Sequence, residues 1–243
     1  MKLPRRKNRR PAAPEAPVGP QARDAASVGG APGGTPADLQ IESAPGWEAI
    51  EEAVAPHHGR EPARHVGFTP PAAFSSNLQG CSAYAADGHW MFVTFGLSDL
   101  FGTEPPGVPG PSGHGLELTM RVVRGSEPGP PDWPYAMLNE LGKQVRGKGV
   151  VIAPGDRVDL RGPVTGHPQI DGPPSALTVF AFRTDPVLGT IETPQGSVRF
   201  VQVVGVTAAE KAQMVASSTE NVLTQLAWGD PLLVLDPARG STS

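Results

Sequence analysis

The alternation of apolar and polar residues predicts strands along the chain. Residues 88–96 are apolar on both alternating faces, which is typical of a strand at the centre of a sheet, and we expect Trp90 to fill the core there. Residues 116–123 alternate more simply, which predicts a strand with one face on the core and a solvated face that carries Glu117. Further strands are predicted at residues 158–160, 177–182, 198–206 and 232–235.

Apolar residues spaced three and four apart predict helices. The helices are expected at residues 47–54, at residues 132–146, from Thr207, and from Ser217 to before Gly229. The last two begin with the spacing of a capping box, in which Glu210 and Glu220 follow three residues after the cap. Strands and helices alternate too irregularly for a doubly wound sheet. The pattern therefore predicts an α+β single domain, with a largely antiparallel mixed sheet packed by about four helices.

Composition divides the chain at residue 45. Residues 1–45 are rich in Pro, Ala and Gly, show no apolar period, and begin with a basic tip at residues 1–10. Such a segment buries too little apolar surface to offset the entropy of ordering, so we expect a disordered tail. We expect residues 46–243 to form the folded domain. This part has 13 basic and 20 acidic residues, a net charge of −7, whereas the tail carries +3.

Charge and cysteine content exclude several function classes. The single cysteine, Cys81, excludes a disulfide framework and any zinc site with two thiolates. A net charge of −4 gives no global basic field for nucleic acid. The arginines near the N-terminus are not followed by the apolar segment of an export signal. We therefore expect a cytoplasmic protein without a cofactor, a membrane partner or a specific nucleic-acid partner.

Several of these segments together resemble the Suppressor of fused domain. The matching motifs are His89-Trp90, residues 94–100 (TFGLSDL), residues 113–121 (GHGLELTMR), residues 131–134 (PDWP), Gly155-Asp156, Thr184-Asp185-Pro186, Thr193-Pro194 and residues 200–207 (FVQVVGVT). Each motif is short, but about eight agree in order and spacing over residues 46–237. The basic tail lies outside the resemblance.

The resemblance implies a non-enzymatic protein-binding module. Animal members of the family sequester Gli-type transcription factors and hold a short peptide as an added strand between this domain and a second domain. The chain ends soon after the last motif, so we expect the second domain to be absent. It is similar instead to bacterial single-domain members, which resemble immunity proteins that neutralise a cognate toxin. A net charge of −7 on residues 46–243 suits a basic partner.

Some positions depart from the family pattern. Where the family motif GFGFELTF has aromatic residues, this chain has His114, Leu116 and Met120, and Arg183 precedes the Thr-Asp-Pro motif. A groove lined by fewer rings argues against the same peptide ligand. The partner is therefore expected to be a different protein, either a toxin that is neutralised or a regulator that is sequestered.

Asp99 and Glu117 are the candidate site residues. Asp99 closes the turn after the central strand, and Glu117 lies on the strand at residues 116–123. As two carboxylates they could act as an acid and a base. They could equally be a turn cap and a solvated strand residue. The family resemblance implies a third role, because acidic residues in these two motifs belong to the partner-binding surface.

A hydrolase of unknown substrate is the alternative function. It would use Asp99 and Glu117, or the histidines His57, His58 and His65, which flank Glu61. His57 and His58 are adjacent, so on a helix they diverge by about 100° and do not converge on one metal ion. A solvated helix end explains the same residues, and we expect no metal site.

Overall fold

The computed structural model describes residues 44–68, 76–102 and 110–240. Most of the predicted tail, residues 1–43, lies outside the described residues. The predictions of a disordered segment and of its basic tip therefore stay predictions. The predicted domain begins within one residue of the first helix, which starts at Pro45.

Eight strands and four α-helices form the described part of the chain. The helices are α1 (Pro45–Val54), α2 (Trp133–Lys148), α3 (Ala208–Ala216) and α4 (Thr219–Ala227). The strands are β1 (Arg64–Gly67), β2 (Gly80–Ala85), β3 (His89–Phe95), β4 (Pro111–Val123), β5 (Arg157–Asp159), β6 (Leu177–Thr184), β7 (Thr190–Thr193) and β8 (Gly196–Thr207). A short 3₁₀ turn follows α1 at Ala55–His57.

All eight described strands belong to one sheet. Its order is β1-β2-β3-β4-β8-β6-β5, and β7 pairs with the first part of β8. β4 and β8 run parallel, while the other described pairs are antiparallel. The predicted α+β class with a largely antiparallel mixed sheet is confirmed.

The helices cover both faces of the sheet. On one face, Leu138 and Leu141 of α2 belong to a cluster with Trp90 and Phe92 of β3, and the prediction for Trp90 is confirmed. On the other face, α1 packs its Ile50 against β3 in a second cluster. A third cluster joins α3 and α4 to β6 and β8. β3 is buried along its whole length, as its two apolar faces predict.

The predicted solvated face of β4 is wrong. Glu117, Thr119 and Arg121 are all buried, because they share the sheet face of Met91 and Val93, which α1 covers, and polar partners surround them there. Asp185 forms a bidentate pair with the Arg121 guanidinium at 2.7 and 3.0 Å and accepts a bond from the Thr119 hydroxyl at 2.6 Å. Burial alone would raise the pKa of Asp185, but the bonds from Arg121 and Thr119 outweigh it and hold that pKa below its usual value.

The chain after α4 differs from the prediction. In place of a strand at residues 232–235, the structure has a single parallel bridge between Leu235 and Val122 of β4. The predicted cap of α4 is also one residue early, since Ser218 accepts the bond from the Asn221 N–H. The capping box of α3, formed by Thr207 and Glu210, is confirmed.

Candidate functional site

A cleft of about 970 Å³ opens beside the connection between β3 and β4. One wall is the segment directly after β3, at residues 96–101, which we call the 96–101 loop. The other lining residues come from the segment before β2, the start of β4, the end of α2 and the β7–β8 turn: Ser76, Gln79, Gly113, His114, Arg146, Gly147 and Gln195. We call this space the loop cleft.

The 96–101 loop turns sharply because its first residue is a glycine. Gly96 has a φ of +113°, a conformation that side chains with a Cβ rarely adopt. A Cβ at this position would also lie 2.8 Å from the backbone nitrogen of Gln79. The turn points three successive backbone N–H groups, those of residues 96–98, toward one point beneath the loop.

The Glu117 carboxylate occupies that point. Its Oε1 accepts the backbone N–H groups of Gly96, Leu97 and Ser98 at 2.9, 3.0 and 2.9 Å. The Ser98 hydroxyl donates to the same oxygen at 2.7 Å, and the Thr94 hydroxyl donates to Oε2 at 2.6 Å. Four hydrogen bonds therefore attach the loop to β4 through one side chain, and a fifth joins the same carboxylate to β3.

Glu117 is completely buried, with 0 % of its surface exposed. Burial raises the pKa of its carboxyl, and the donors from Thr94 and Ser98 oppose that effect. Because loop donors occupy Oε1 and the Thr94 hydroxyl of β3 occupies Oε2, the carboxylate cannot contact a ligand in the cleft without losing these bonds. An acid–base pair with Asp99 is therefore unsupported by the geometry.

Asp99 lies on the opposite, exposed side of the same loop. Its Oδ2 accepts the backbone N–H of Gly113 at 3.0 Å, and its own N–H donates to the Ser112 hydroxyl at 3.0 Å. The structure thus brings both candidate residues to the 96–101 loop, Glu117 beneath it and Asp99 at its surface. Asp99 closes the turn, as the sequence predicts, and remains available to a partner.

Three residues that were not candidates from the sequence complete the cleft. The Arg146 guanidinium, near the end of α2, donates to the Gly96 carbonyl. Phe101 is 41 % exposed, a large apolar ring at the surface of the loop. The Gln195 amide donates to the Gly102 carbonyl at 2.6 Å. Phe101 and Gln195 each directly follow a family motif, at residues 94–100 and at Thr193-Pro194, whereas Arg146 could not be found without the fold.

The histidines do not form a cluster. His58 Nδ1 pairs with the Gly59 carbonyl at 2.6 Å, and His65 Nδ1 pairs with the Ser82 hydroxyl at 2.9 Å. Burial lowers the pKa of His65. Over residues 44–68, 76–102 and 110–240, no three His, Cys, Asp or Glu side chains are placed to hold a metal ion. The geometry therefore gives the hydrolase alternative no assembled site.

None of the helices in the described residues is both long enough and apolar enough to cross a bilayer.

Comparison with known proteins gives a consistent match. The family described as Suppressor of fused protein (SUFU) matches residues 75–240. The Suppressor of fused homologs of Homo sapiens and Mus musculus are each 34 % identical over 163 residues, which cover 63 % of this chain and 32 % of theirs. The chain therefore spans about a third of the length of these curated relatives.

Solved structures share the fold. The Sufu–Fu complex matches with a TM-score of 0.71 and 28 % identity, over 83 % of this chain and 93 % of that one. Drosophila Suppressor of Fused matches with a TM-score of 0.70 and 27 % identity, over 83 % of this chain and 52 % of that one. The homolog from Neisseria gonorrhoeae FA 1090 has a TM-score of 0.52 and 16 % identity, over 81 % of this chain and 93 % of that one, which shows the fold alone.

Proposed function

The chain belongs to the Suppressor of fused family, and from that premise we propose that it is a non-enzymatic protein-binding module whose partner docks in the loop cleft. The observation that carries the proposal is the attachment of the 96–101 loop to the buried Glu117 carboxylate. A loop held by four hydrogen bonds presents its outer groups in one arrangement before a partner arrives. Such preorganisation reduces the entropy cost of binding.

The cleft offers groups that suit a protein surface. Phe101 supplies an exposed ring, which is typical of an interface anchor, and Asp99 supplies an exposed carboxylate at the rim. A relative has been solved as the Sufu–Fu complex, which supports a role in binding another protein.

The proposed partner is a basic protein. Residues 46–243 carry a net charge of −7, which attracts a basic surface and raises its association rate. Within this class, the chain either neutralises a toxin as an immunity-type protein or sequesters a regulator. Expressing the captured partner alone and together with this chain separates the two, because only a toxin arrests growth that the chain then restores.

The two candidate residues take different parts in this proposal. Asp99 contacts the partner directly. Glu117 acts as a positioning residue, since its carboxylate holds the 96–101 loop and does not reach the surface.

Site-specific photocrosslinking tests where the partner binds. A photoreactive residue in place of Phe101 should capture the partner. The same residue in place of Val187, which is exposed on the β6–β7 connection, should not capture it. Equal capture at both positions would place the binding surface elsewhere.

The captured partner then allows a charge-reversal test. Asp99→Lys should weaken binding by about 2–5 kcal/mol if the carboxylate is central in the interface and by about 1 kcal/mol or less if it lies on the rim. The matched control is Asp87→Lys, an exposed aspartate in the turn at the opposite end of β3. The loss should also shrink as salt rises, because exposed charges are screened. Equal affinities for both variants, with unchanged circular dichroism, would contradict the assignment of Asp99.

A further inference from the structure

The loop cleft contains an arginine that is held in place but has no acidic partner. Arg146 is exposed, and its Nη1 donates to the Gly96 carbonyl. Within the part of the chain that the structure describes, no carboxylate lies within ion-pair distance of this guanidinium. The bond to Gly96 fixes the guanidinium on the wall of the cleft, while Nε and Nη2 can still donate to a ligand.

Two other exposed lining residues place hydrogen-bond donors beside Arg146. A Cβ on Gly96 would lie 3.2 Å from Nη1 of Arg146 and 2.8 Å from Cγ of Gln79, so both side chains lie against the same residue. The His114 backbone N–H donates to the Leu97 carbonyl at 2.7 Å, which attaches His114 to the carbonyl next to the one that Arg146 binds. The Gln79 amide and the His114 imidazole can both donate hydrogen bonds to an anion.

The charges of the cleft are separated along the 96–101 loop. Asp99 is the only acidic side chain among the described residues of the lining, and its Oδ2 already accepts the Gly113 N–H at 3.0 Å. The cleft therefore has a cationic position beside residue 96 and an anionic position at residue 99. This local arrangement differs from the net charge of −7 on residues 46–243. A segment that fits the cleft carries one group of each charge.

We propose that Arg146 binds the carboxylate of an Asp or Glu side chain of the partner, while Asp99 meets a basic group of the same segment. The inference rests on the proposed function, because it names the chemistry that the partner presents to the loop cleft. The negative charge of the whole domain attracts the basic partner, and the contact with Arg146 determines which part of the partner enters the cleft. A guanidinium suits this role, since Nε and Nη2 together match the two oxygens of a carboxylate.

Titration of the full chain with acetate tests the anion site without a partner. Acetate should shift the NMR signals of the Arg146 Nε–H and the Gly147 amide more than chloride does at equal ionic strength, and Arg146→Gln should remove the Gly147 shift. The matched control is Lys148→Gln, which removes an exposed cation at the end of the same helix, outside the cleft lining. Equal shifts with acetate and chloride would overturn the proposal. Saturation by inorganic phosphate at a tenfold lower concentration than acetate would also overturn it, because the site would then select phosphate.

Affinity for the crosslinked partner tests the role of Arg146 in recognition. Arg146→Gln should weaken binding about tenfold or more, and Lys148→Gln by less than about twofold. Arg146→Lys should fall between them, since lysine keeps the charge but loses the paired donors. Hydrogen exchange at the amides of residues 96–98 should be unchanged in Arg146→Gln, because Glu117 holds these amides. Accelerated exchange there would mean that Arg146 supports the loop, which would overturn the assigned contact.

Charge exchange shows whether the contact is direct. Arg146→Glu should lose most of the binding, and replacing the contacting Asp or Glu of the partner by Lys should restore part of it. An unchanged affinity of Arg146→Gln for a partner crosslinked at Phe101 would overturn this inference and leave the proposed function intact. A partner that crosslinks away from Phe101 would overturn the proposed function, while acetate shifts that Arg146→Gln removes would still support a carboxylate site at Arg146.

Discussion

Glu117 connects the interior of the sheet to the surface loop. Its carboxylate accepts three backbone N–H groups and two hydroxyls, all from residues 94–98. Each of those donors would be left unpaired and buried if the side chain were shortened. The geometry of the cleft therefore depends on a residue that is itself not exposed.

Replacing Glu117 by Gln tests this dependence. The amide keeps one acceptor oxygen but loses the charge and faces one partner with an N–H₂ group, so we expect a loss of about 1–3 kcal/mol in the free energy of unfolding. Hydrogen exchange at the amides of Gly96, Leu97 and Ser98 should accelerate more than exchange in the core. Glu192→Gln, an exposed glutamate of β7, is the control and should change the stability little. Unchanged exchange at the three amides in Glu117→Gln would contradict the positioning role.

Glu210 makes a second charged contact, which contributes to the pH dependence of stability. Its carboxylate completes the capping box of α3 and binds the Arg239 guanidinium, with Nη2 at 3.0 Å from Oε2. Burial raises the pKa of Glu210, but Arg239 and the Thr207 N–H outweigh it, so that the folded pKa lies below the ordinary value of 4.5.

The sign of the pH effect follows from this direction. Because the pKa of Glu210 is lower in the folded state, its contribution to stability is complete above the pKa of the unfolded state. The contribution is lost as the pH falls through the pKa of the folded state. We expect Glu210→Gln to lower stability near pH 7 by about 1–2 kcal/mol and to lose less on acidification than the unmodified chain. Denaturant unfolding at several pH values from 7 downward measures both effects, with Glu220→Gln as the control. Parallel pH curves for Glu210→Gln and the unmodified chain would show that Arg239 does not stabilise the charged form.

At the scale of elements, the segment after α4 packs against the sheet. Leu235 is buried in the main cluster, bridges to Val122, and lies against Gly205 of β8. Leu235→Ala should therefore lower the free energy of unfolding by about 2–5 kcal/mol. Trp228→Ala is the control, since Trp228 is 81 % exposed and its removal should cost less than about 0.5 kcal/mol. A small effect of Leu235→Ala in chemical denaturation would mean that the segment after α4 contributes little to the core.

A helix or strand can be predicted from the sequence only where its apolar residues repeat with a clear period. β3 and β8 are long and apolar, and α3 begins at a capping box, so their types and approximate positions follow from the sequence. β2 cannot be predicted in this way, because its first four residues are small and show no strand-like alternation: Gly80, Cys81, Ser82 and Ala83. Its six residues are nevertheless all buried, because β1 and β3 pair with its edges and hydrophobic clusters cover both of its faces.

Likewise, only some residues of the candidate site can be predicted from the sequence. Asp99 can be placed at a turn because it follows a strand and a Gly-Leu-Ser sequence. The burial of Glu117 cannot be deduced from its strand, since alternation alone puts it on the polar face. It becomes clear only when the 96–101 loop folds back over β4 and supplies donors from residues 96–98, about 20 positions away. Arg146 reaches the cleft from 50 positions away, a separation that no local pattern reports.

At the scale of the whole molecule, all three described hydrophobic clusters are formed by residues between Ile50 and Leu235. Their helices and strands account for both faces of the sheet. The 43 residues before Ala44 include few large apolar side chains, so they have little to add to these clusters. Stability should therefore reside in the part of the chain that follows residue 43.

Deleting residues 1–43 tests this division. We expect the shortened chain to unfold cooperatively, with a Tm within a few degrees of the full chain, because a change of 1 kcal/mol shifts the Tm of a domain of this size by about 2–4 °C. The denaturant m value should also stay nearly constant, because the surface that becomes exposed on unfolding belongs to the retained residues. Scanning calorimetry and denaturant titration of both chains measure the two quantities. A broad, non-cooperative transition in the shortened chain would show that residues before Ala44 complete the core.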